Sequence, residues 1–193
     1  PHMAERYGLL TIIVLGESFV KVLSDLAGQG AVVSTALMGA MGLAVTSSLW
    51  WMYFDDVAGS RIKATRAAAF TWIYAHLPLT MGVTASGVAI KKIVGFDPMG
   101  TGAEKYRWLI CGTLALAFAS MALIDWVTER RHSEVSDRTR LGVRLTSVGV
   151  LLLLAPTGRL LDAWVFILAV VLVCAGQVLV DLLIAPETSE DAE

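Results

Sequence analysis

An excess of charge of either sign is what this 193-residue chain most plainly lacks: fifteen lysines and arginines stand against seventeen aspartates and glutamates, for a net charge of −2. A nucleic-acid binder is expected to carry a basic excess, so DNA and RNA are set aside as partners. Charge of any sign is scarce, at 17% of residues against roughly 25% in soluble domains. The two cysteines, Cys111 and Cys174, both lie in apolar runs and belong to no CxxC or Cys/His cluster, which leaves neither a disulfide framework nor a zinc site. There is no HExxH, GxSxG or paired-aspartate motif, and no polar segment long enough to house a separate catalytic domain. The chain is therefore expected to be no enzyme and to hold no metal and no cofactor.

Apolar sequence is what remains. Hydrophobic residues make up 56% of the chain and the mean hydropathy is +0.68. A hydrocarbon core about 30 Å thick takes roughly 20 apolar helical residues, and the chain supplies six such blocks, at 8–26, 32–54, 67–90, 108–127, 141–155 and 163–184. The expected fold is all-α, a polytopic transmembrane helix bundle of about six spans. A single domain over 1–185 is followed by an acidic tail over 186–193. The fifth block is short before Pro156, and spans if Arg140 and Arg144 snorkel from one end and the residues from Arg159 to Leu161 extend the other, a re-entrant or tilted helix being the alternative. Six spans place both termini on one side. Arg6, Arg61, Lys63, Arg66, Arg130, Arg131, Arg138, Arg140 and Arg144 fall on that side, against Lys91, Lys92, Lys105, Arg107 and Arg159 on the other. The positive-inside rule then expects both termini in the cytoplasm of a cell whose inner membrane holds the protein. The opening Pro1-His2-Met3 has no initiator methionine first, which fits a cloning remnant or a start within a longer chain, and no cleavable signal peptide follows.

Glu17 and Lys21 stand inside the first block, where a charge at a span's centre costs about 2.5–3.5 kcal/mol on insertion scales. At 100° per residue, Thr11, Glu17, Ser18, Lys21, Ser24 and Asp25 share one arc, with Leu9, Ile12, Leu15, Phe19, Leu23 and Leu26 on the rest. Glu before Lys at four residues is the favourable order for an intrahelical pair. The face is expected to line a hydrated pathway in which Glu17 carries a proton or meets a cation. The competing readings are a packing pair or a helix lying flat at the interface.

The stretch Glu5-Arg6-Tyr7-Gly8-Leu9-Leu10-Thr11-Ile12-Ile13-Val14-Leu15-Gly16-Glu17 resembles the ERxGLxTIIxLGE signature of the bacterial low-temperature-requirement A (LtrA) membrane proteins. The resemblance continues more loosely through Trp50-Trp51-Met52-Tyr53-Phe54-Asp55 and Tyr74-Ala75-His76-Leu77-Pro78-Leu79. It marks Glu5, Arg6, Gly16, Glu17, Asp55 and His76 as motif positions. Members of that family are generally longer, so the resemblance implies a carboxy-terminal portion or a shortened relative. The family name records growth in the cold, a phenotype that carries no substrate with it.

Further polar residues sit in the later blocks. His76, Thr80 and Thr84 recur at fours beside Pro78, whose ring removes an amide hydrogen and favours a kink; the stripe either relays protons to Glu17 or is a satisfied packing element. Cys174, Gln177 and Asp181 share a face of the last block, and Asp125 closes the fourth, near water. Ala36, Ala40, Ala44 and Ser48 recur at fours, as do Thr35 and Gly39, small-residue stripes expected to be a helix-packing seam. The expected function is a small-solute or ion transporter, proton coupling included, or part of one. Glu17 is its ionisable centre, with Lys21, His76 and Asp181 as candidate binding residues. The rival is a non-transporting membrane-adaptation or scaffold protein. Expected partners are the lipid bilayer and a small solute or ion, and a homo-oligomer is left open.

Overall fold

A computed structural model of the chain describes residues 2–28, 33–57, 61–95, 97–129 and 137–184. Six long helices cross in alternation: α1 (His2–Gly28), α2 (Val33–Met52), α3 (Arg66–Val94), α4 (Glu104–Trp126), α5 (Asp137–Thr157) and α6 (Ala163–Ile184). Each contains a stretch long and apolar enough to cross a membrane, so the expected all-α, six-span architecture is the observed one. A π-helical turn, Tyr53–Val57, extends α2, and a 3₁₀ turn, Gly158–Leu160, follows α5.

Two strands of two residues each, β1 (Arg61–Ile62) and β2 (Thr128–Glu129), pair antiparallel, Arg61 with Glu129 and Ile62 with Thr128. The connections after α2 and after α4 therefore meet at one end of the bundle. Lys63 reinforces the junction by donating its amide to Val127 O at 3.0 Å and Nζ to Trp126 O at 2.7 Å. An ammonium on a helix's last carbonyls satisfies an orphan acceptor and opposes the helix dipole. At the other end Arg107 Nη1 donates to Thr101 O and Gly102 O at 2.7 and 2.9 Å. The amides of Ala163 and Trp164 bond back to Gly100 O and Pro98 O, which ties the start of α6 to the loop before α4.

The centre of the bundle is the α3–α4 pair, with α1 against α3, α5 against α4, and α2 reaching α1, α3 and α6. Trp72, Leu79, Ile110, Leu114 and Phe118 are fully buried there. Gly82 sets the crossing, since a Cβ on it would stand 2.7 Å from Thr113 O and 3.1 Å from Ala117 N, both backbone atoms. Thr65 caps α3, its hydroxyl accepting from the Ala68 amide at 3.1 Å. Buried hydroxyls inside the spans bond to carbonyls of their own helices, as Thr11 does to Tyr7 O at 2.9 Å and Ser18 to Val14 O at 3.1 Å. This removes most of the penalty of carrying them through hydrocarbon.

Two local expectations change. The fifth span is longer than its apolar run suggests: it covers Thr139–Leu160, because Arg140 and Arg144 lie within the helix, buried rather than snorkelling outward. The α2 seam runs through Met38, Gly39, Gly42, Val45 and Leu49, leaving Ala36 and Ala40 on the outer surface and Ala44 and Ser48 half-buried. Small size permits close approach on any face, and Gly42, against Ile90, takes that role on this helix. Pro78 is accommodated in a helix that continues from Arg66 to Val94. The acidic tail over 186–193 lies outside the described residues.

Candidate functional site

The first helix presents two unlike faces. Gly8, Thr11, Leu15, Ser18 and Val22 are buried, a spacing that forms a single stripe at 3.6 residues per turn. Ser18 comes so close to α3 that a Cβ on Gly87 would stand 2.5 Å from its hydroxyl. Glu17 lies roughly 140° around the helix from the middle of that stripe. Its side chain is 60% exposed and pairs with Lys21, itself 30% exposed, at 3.3 Å. The polar arc is thus divided: Thr11 and Ser18 turn into the bundle, while Glu17 and Lys21 lie on its outer surface, so within this chain the carboxylate is not lodged in an interior pathway. Gly16 is also on the outer surface, with open space where a side chain would be.

The three motif segments meet at His76. Tyr7 from the first places its ring 4.6 Å from the imidazole, and Trp72, one turn before His76 on α3, lies 4.1 Å from it. Tyr53, at the start of the π-turn, crosses it edge-on at 6.0 Å. His76 is 1% exposed. Nδ1 stands 2.7 Å from Trp72 O, which can only accept, so the proton is on Nδ1. Nε2 is left to accept from the Tyr53 hydroxyl at 3.3 Å. Both nitrogens are engaged, and the imidazole locks α2 to α3 beside α1. Thr80 and Thr84 face away, their hydroxyls bonded to carbonyls of α3. Glu17 and His76 are not brought together: Tyr7, level with His76, precedes Glu17 by ten residues, about 15 Å along the helix axis.

The strongest buried charge contact joins α4 to α5. Arg144 Nη1 stands 2.7 Å from Asp125 Oδ2, with the two side chains 3% and 10% exposed. Arg140, one turn before Arg144, is also buried. Asp125 is therefore sheltered by the bundle rather than wetted at its edge. The sequence signal for this was two arginines four residues apart leading into an apolar run, which a snorkelling explanation concealed. Glu5, Arg6 and Asp55 are exposed at helix ends. On α6, Cys174 and Gln177 are buried, and Gln177 Nε2 lies 3.5 Å from Val143 O. The Asp181 side chain lies outside the described residues. Among the described residues no three His, Cys, Asp or Glu side chains gather as a metal site would require. The α5–α6 pair is loosely packed and leaves an open groove of about 490 Å³, with Thr146, Ser147, Gly176 and Gln177 among its lining.

Comparison with known proteins identifies the lineage. The family model described as bacterial low temperature requirement A protein (LtrA) matches residues 1–179. An uncharacterized protein of Rhizobium meliloti (strain 1021) is 30% identical over 98 residues, which cover 45% of this chain and 23% of the relative. The chain thus spans about a quarter of the length of that curated relative. No solved structure matches. The chain belongs to the LtrA family and is a multi-pass helical membrane protein.

Proposed function

We propose that this LtrA-family chain is a small-solute or ion transporter, or part of one, with Glu17 as its ionisable centre and Lys21 as its partner. The observation that carries the reading is the position of Glu17 inside a membrane-length helix, with Lys21 one turn nearer the end of the span and both on the surface of the described bundle. Against acyl chains two charges there would cost several kcal/mol, so protein or water covers this face in the working assembly. A hydrated seam beside α1 meets that requirement, and in such a seam a carboxylate binds a cation or passes a proton. The bacterial inner membrane, with both termini cytoplasmic, is the placement that the basic residues favour, because Arg61, Lys63 and Arg66 share an end of the bundle with the connection after α4.

The His76 cage favours a second reading, a non-transporting scaffold in which polar groups fasten helices together. An imidazole with both nitrogens bonded and three aromatic rings around it has no free position for a proton relay. Flux separates the two readings. Proteoliposomes of the wild type, Glu17→Gln and Lys21→Ala are loaded in turn with protons, alkali cations and small amino acids. Transport predicts a wild-type flux that falls at least tenfold in Glu17→Gln. Equal flux in all three, at equal reconstituted protein, removes the transporter reading and leaves the scaffold.

A further inference from the structure

α5 and α6 meet closely at one end of the bundle, where a Cβ on Gly158 would stand 2.6 Å from the Phe166 ring. Toward the end that carries β1 and β2 they part, and Gly142 and Gly176 line the open groove of about 490 Å³ with no neighbour near where a Cβ would be. The groove has three levels. Arg144 pairs with Asp125, the penultimate residue of α4, so this level is the edge of the span that α4 makes. Thr139 and Val180 line the groove on the outer side of that edge, and Val150, Leu172 and Val173 line it deeper in. Between them, two and three residues past Arg144 and so about 3–5 Å inside the edge, stand Thr146 and Ser147. Among the described residues their hydroxyls bond to no carbonyl of α5, whereas Thr157 on the same helix donates to Leu153 O at 2.8 Å. Gln177, 4% exposed, crosses the floor of the groove to Val143 O at 3.5 Å through Nε2, which carries a second N–H.

We infer that this groove is a binding site for one glycerophospholipid of the adjoining leaflet, whose ester carbonyls accept from Thr146, Ser147 and Gln177 while one acyl chain lies along Val150, Leu172 and Val173. The headgroup then sits over Thr139, outside the edge. Complementarity of hydrogen bonding selects this occupant. The wall offers donors just inside the hydrocarbon boundary, the depth at which a phospholipid carries ester carbonyls, which accept and cannot donate. The open side of the groove faces hydrocarbon, so a free polar solute would keep unsatisfied groups on that side. A partner's transmembrane helix could not follow the groove across the bilayer, because Phe166 closes it over Gly158. An ester-linked chain is apolar toward the bilayer, polar toward the wall, and needs the depth of one leaflet only. Gly142 and Gly176 leave the width for the glycerol unit. The site is separate from the Glu17 pair on α1 and does not rest on the transport reading.

A phosphatidylcholine with a diazirine in one acyl chain tests it. The protein is reconstituted in phosphatidylcholine vesicles containing the probe, irradiated, and the labelled residues mapped. Labelling is expected to concentrate on Val150, Leu172 and Val173, above the level at Leu77 and Met81, which face bulk lipid from α3. Even labelling of the two regions overturns the inference. An ether-linked probe, which lacks the ester carbonyls, is expected to lose roughly fivefold of the labelling between α5 and α6, and Thr146→Val with Ser147→Ala to lose as much with the ester probe. Equal labelling by ester and ether probes overturns the carbonyl contacts. Gly176→Leu fills the groove and is expected to remove the preference while Leu77 and Met81 stay labelled as before. Its unfolding midpoint in detergent should hold without added lipid, and the rise that phosphatidylcholine gives the wild type should vanish. A preference that survives Gly176→Leu overturns the site. Leu172→Cys, in a Cys111→Ala, Cys174→Ala background, is oxidised in the same vesicles: a disulfide to a second copy gives the groove to protein and overturns the lipid, and none is expected.

Discussion

Two of the ion pairs among the described residues lie inside helices of membrane-spanning length in opposite surroundings. Arg144 and Asp125 join α4 to α5 at 2.7 Å with side chains 3% and 10% exposed. Lys21 and Glu17 lie one turn apart on a single helix at 3.3 Å, 30% and 60% exposed. The first pair fastens two elements and is enclosed by what it fastens. The second fastens nothing within the described bundle, so its charges are an unspent interaction. The helices do not divide in the same way: α3 and α4 bury about half or more of their spans, while α1 and α5, which carries Arg144, each bury about a fifth. The difference lies in what surrounds each pair of charges, not in how much of each helix is buried.

The largest effect that could break this contrast comes from the enclosed pair. Arg144→Leu leaves the Asp125 carboxylate buried beside α5 and is expected to cost about 3–5 kcal/mol of stability, whereas Arg144→Leu with Asp125→Leu recovers most of it. Thermal unfolding of the purified protein in detergent measures both. A mild Arg144→Leu would mean that other groups around Asp125 compensate its carboxylate and that burial does not distinguish the two pairs.

Two glycines sharpen the comparison at smaller scale. Gly82→Ala drives a methyl into the backbone of α4 at Thr113 and Ala117, an overpacking expected to cost about 1–3 kcal/mol. Gly16→Ala meets open space and gains helix propensity, so it should leave the monomer unchanged or stabilise it by up to about 1 kcal/mol. Unfolding midpoints of the two variants should move in opposite directions. A Gly16→Ala loss equal to that of Gly82→Ala would show that the outer face of α1 is already packed in the purified protein.

Much of the architecture was legible in the sequence because bilayer thickness imposes a length that apolar runs display directly. The weak fifth run was the exception: its Arg144 finds a carboxylate on α4, and tertiary partners are invisible to hydropathy. Which residues face inward was less legible. A helical wheel groups Thr11, Ser18, Glu17 and Lys21 by polarity, but small hydroxyls bonded to their own carbonyls can be buried cheaply, and charges cannot. The divide between inner and outer face therefore runs through the polar arc. His76 stood out in the sequence as a histidine within a span. Its cage did not, because Tyr7, Tyr53 and Trp72 come from three helices and no spacing rule links them.

The smallest expected stability change is the one that most constrains function. In the detergent-solubilised monomer Glu17→Gln and Lys21→Ala each remove an exposed pair between residues four apart, an interaction of about 0.3–0.5 kcal/mol, so their unfolding midpoints should stay within about a degree or two of the wild type. The same substitutions are expected to lower flux at least tenfold, because the transport reading makes Glu17 and its partner the ionisable centre. A residue that is nearly silent in stability and decisive in activity is held for something other than folding. If instead either substitution unfolds the purified monomer by several kcal/mol, the pair is already part of a closed core, and the outer face of α1 has no unfinished contact to offer a partner.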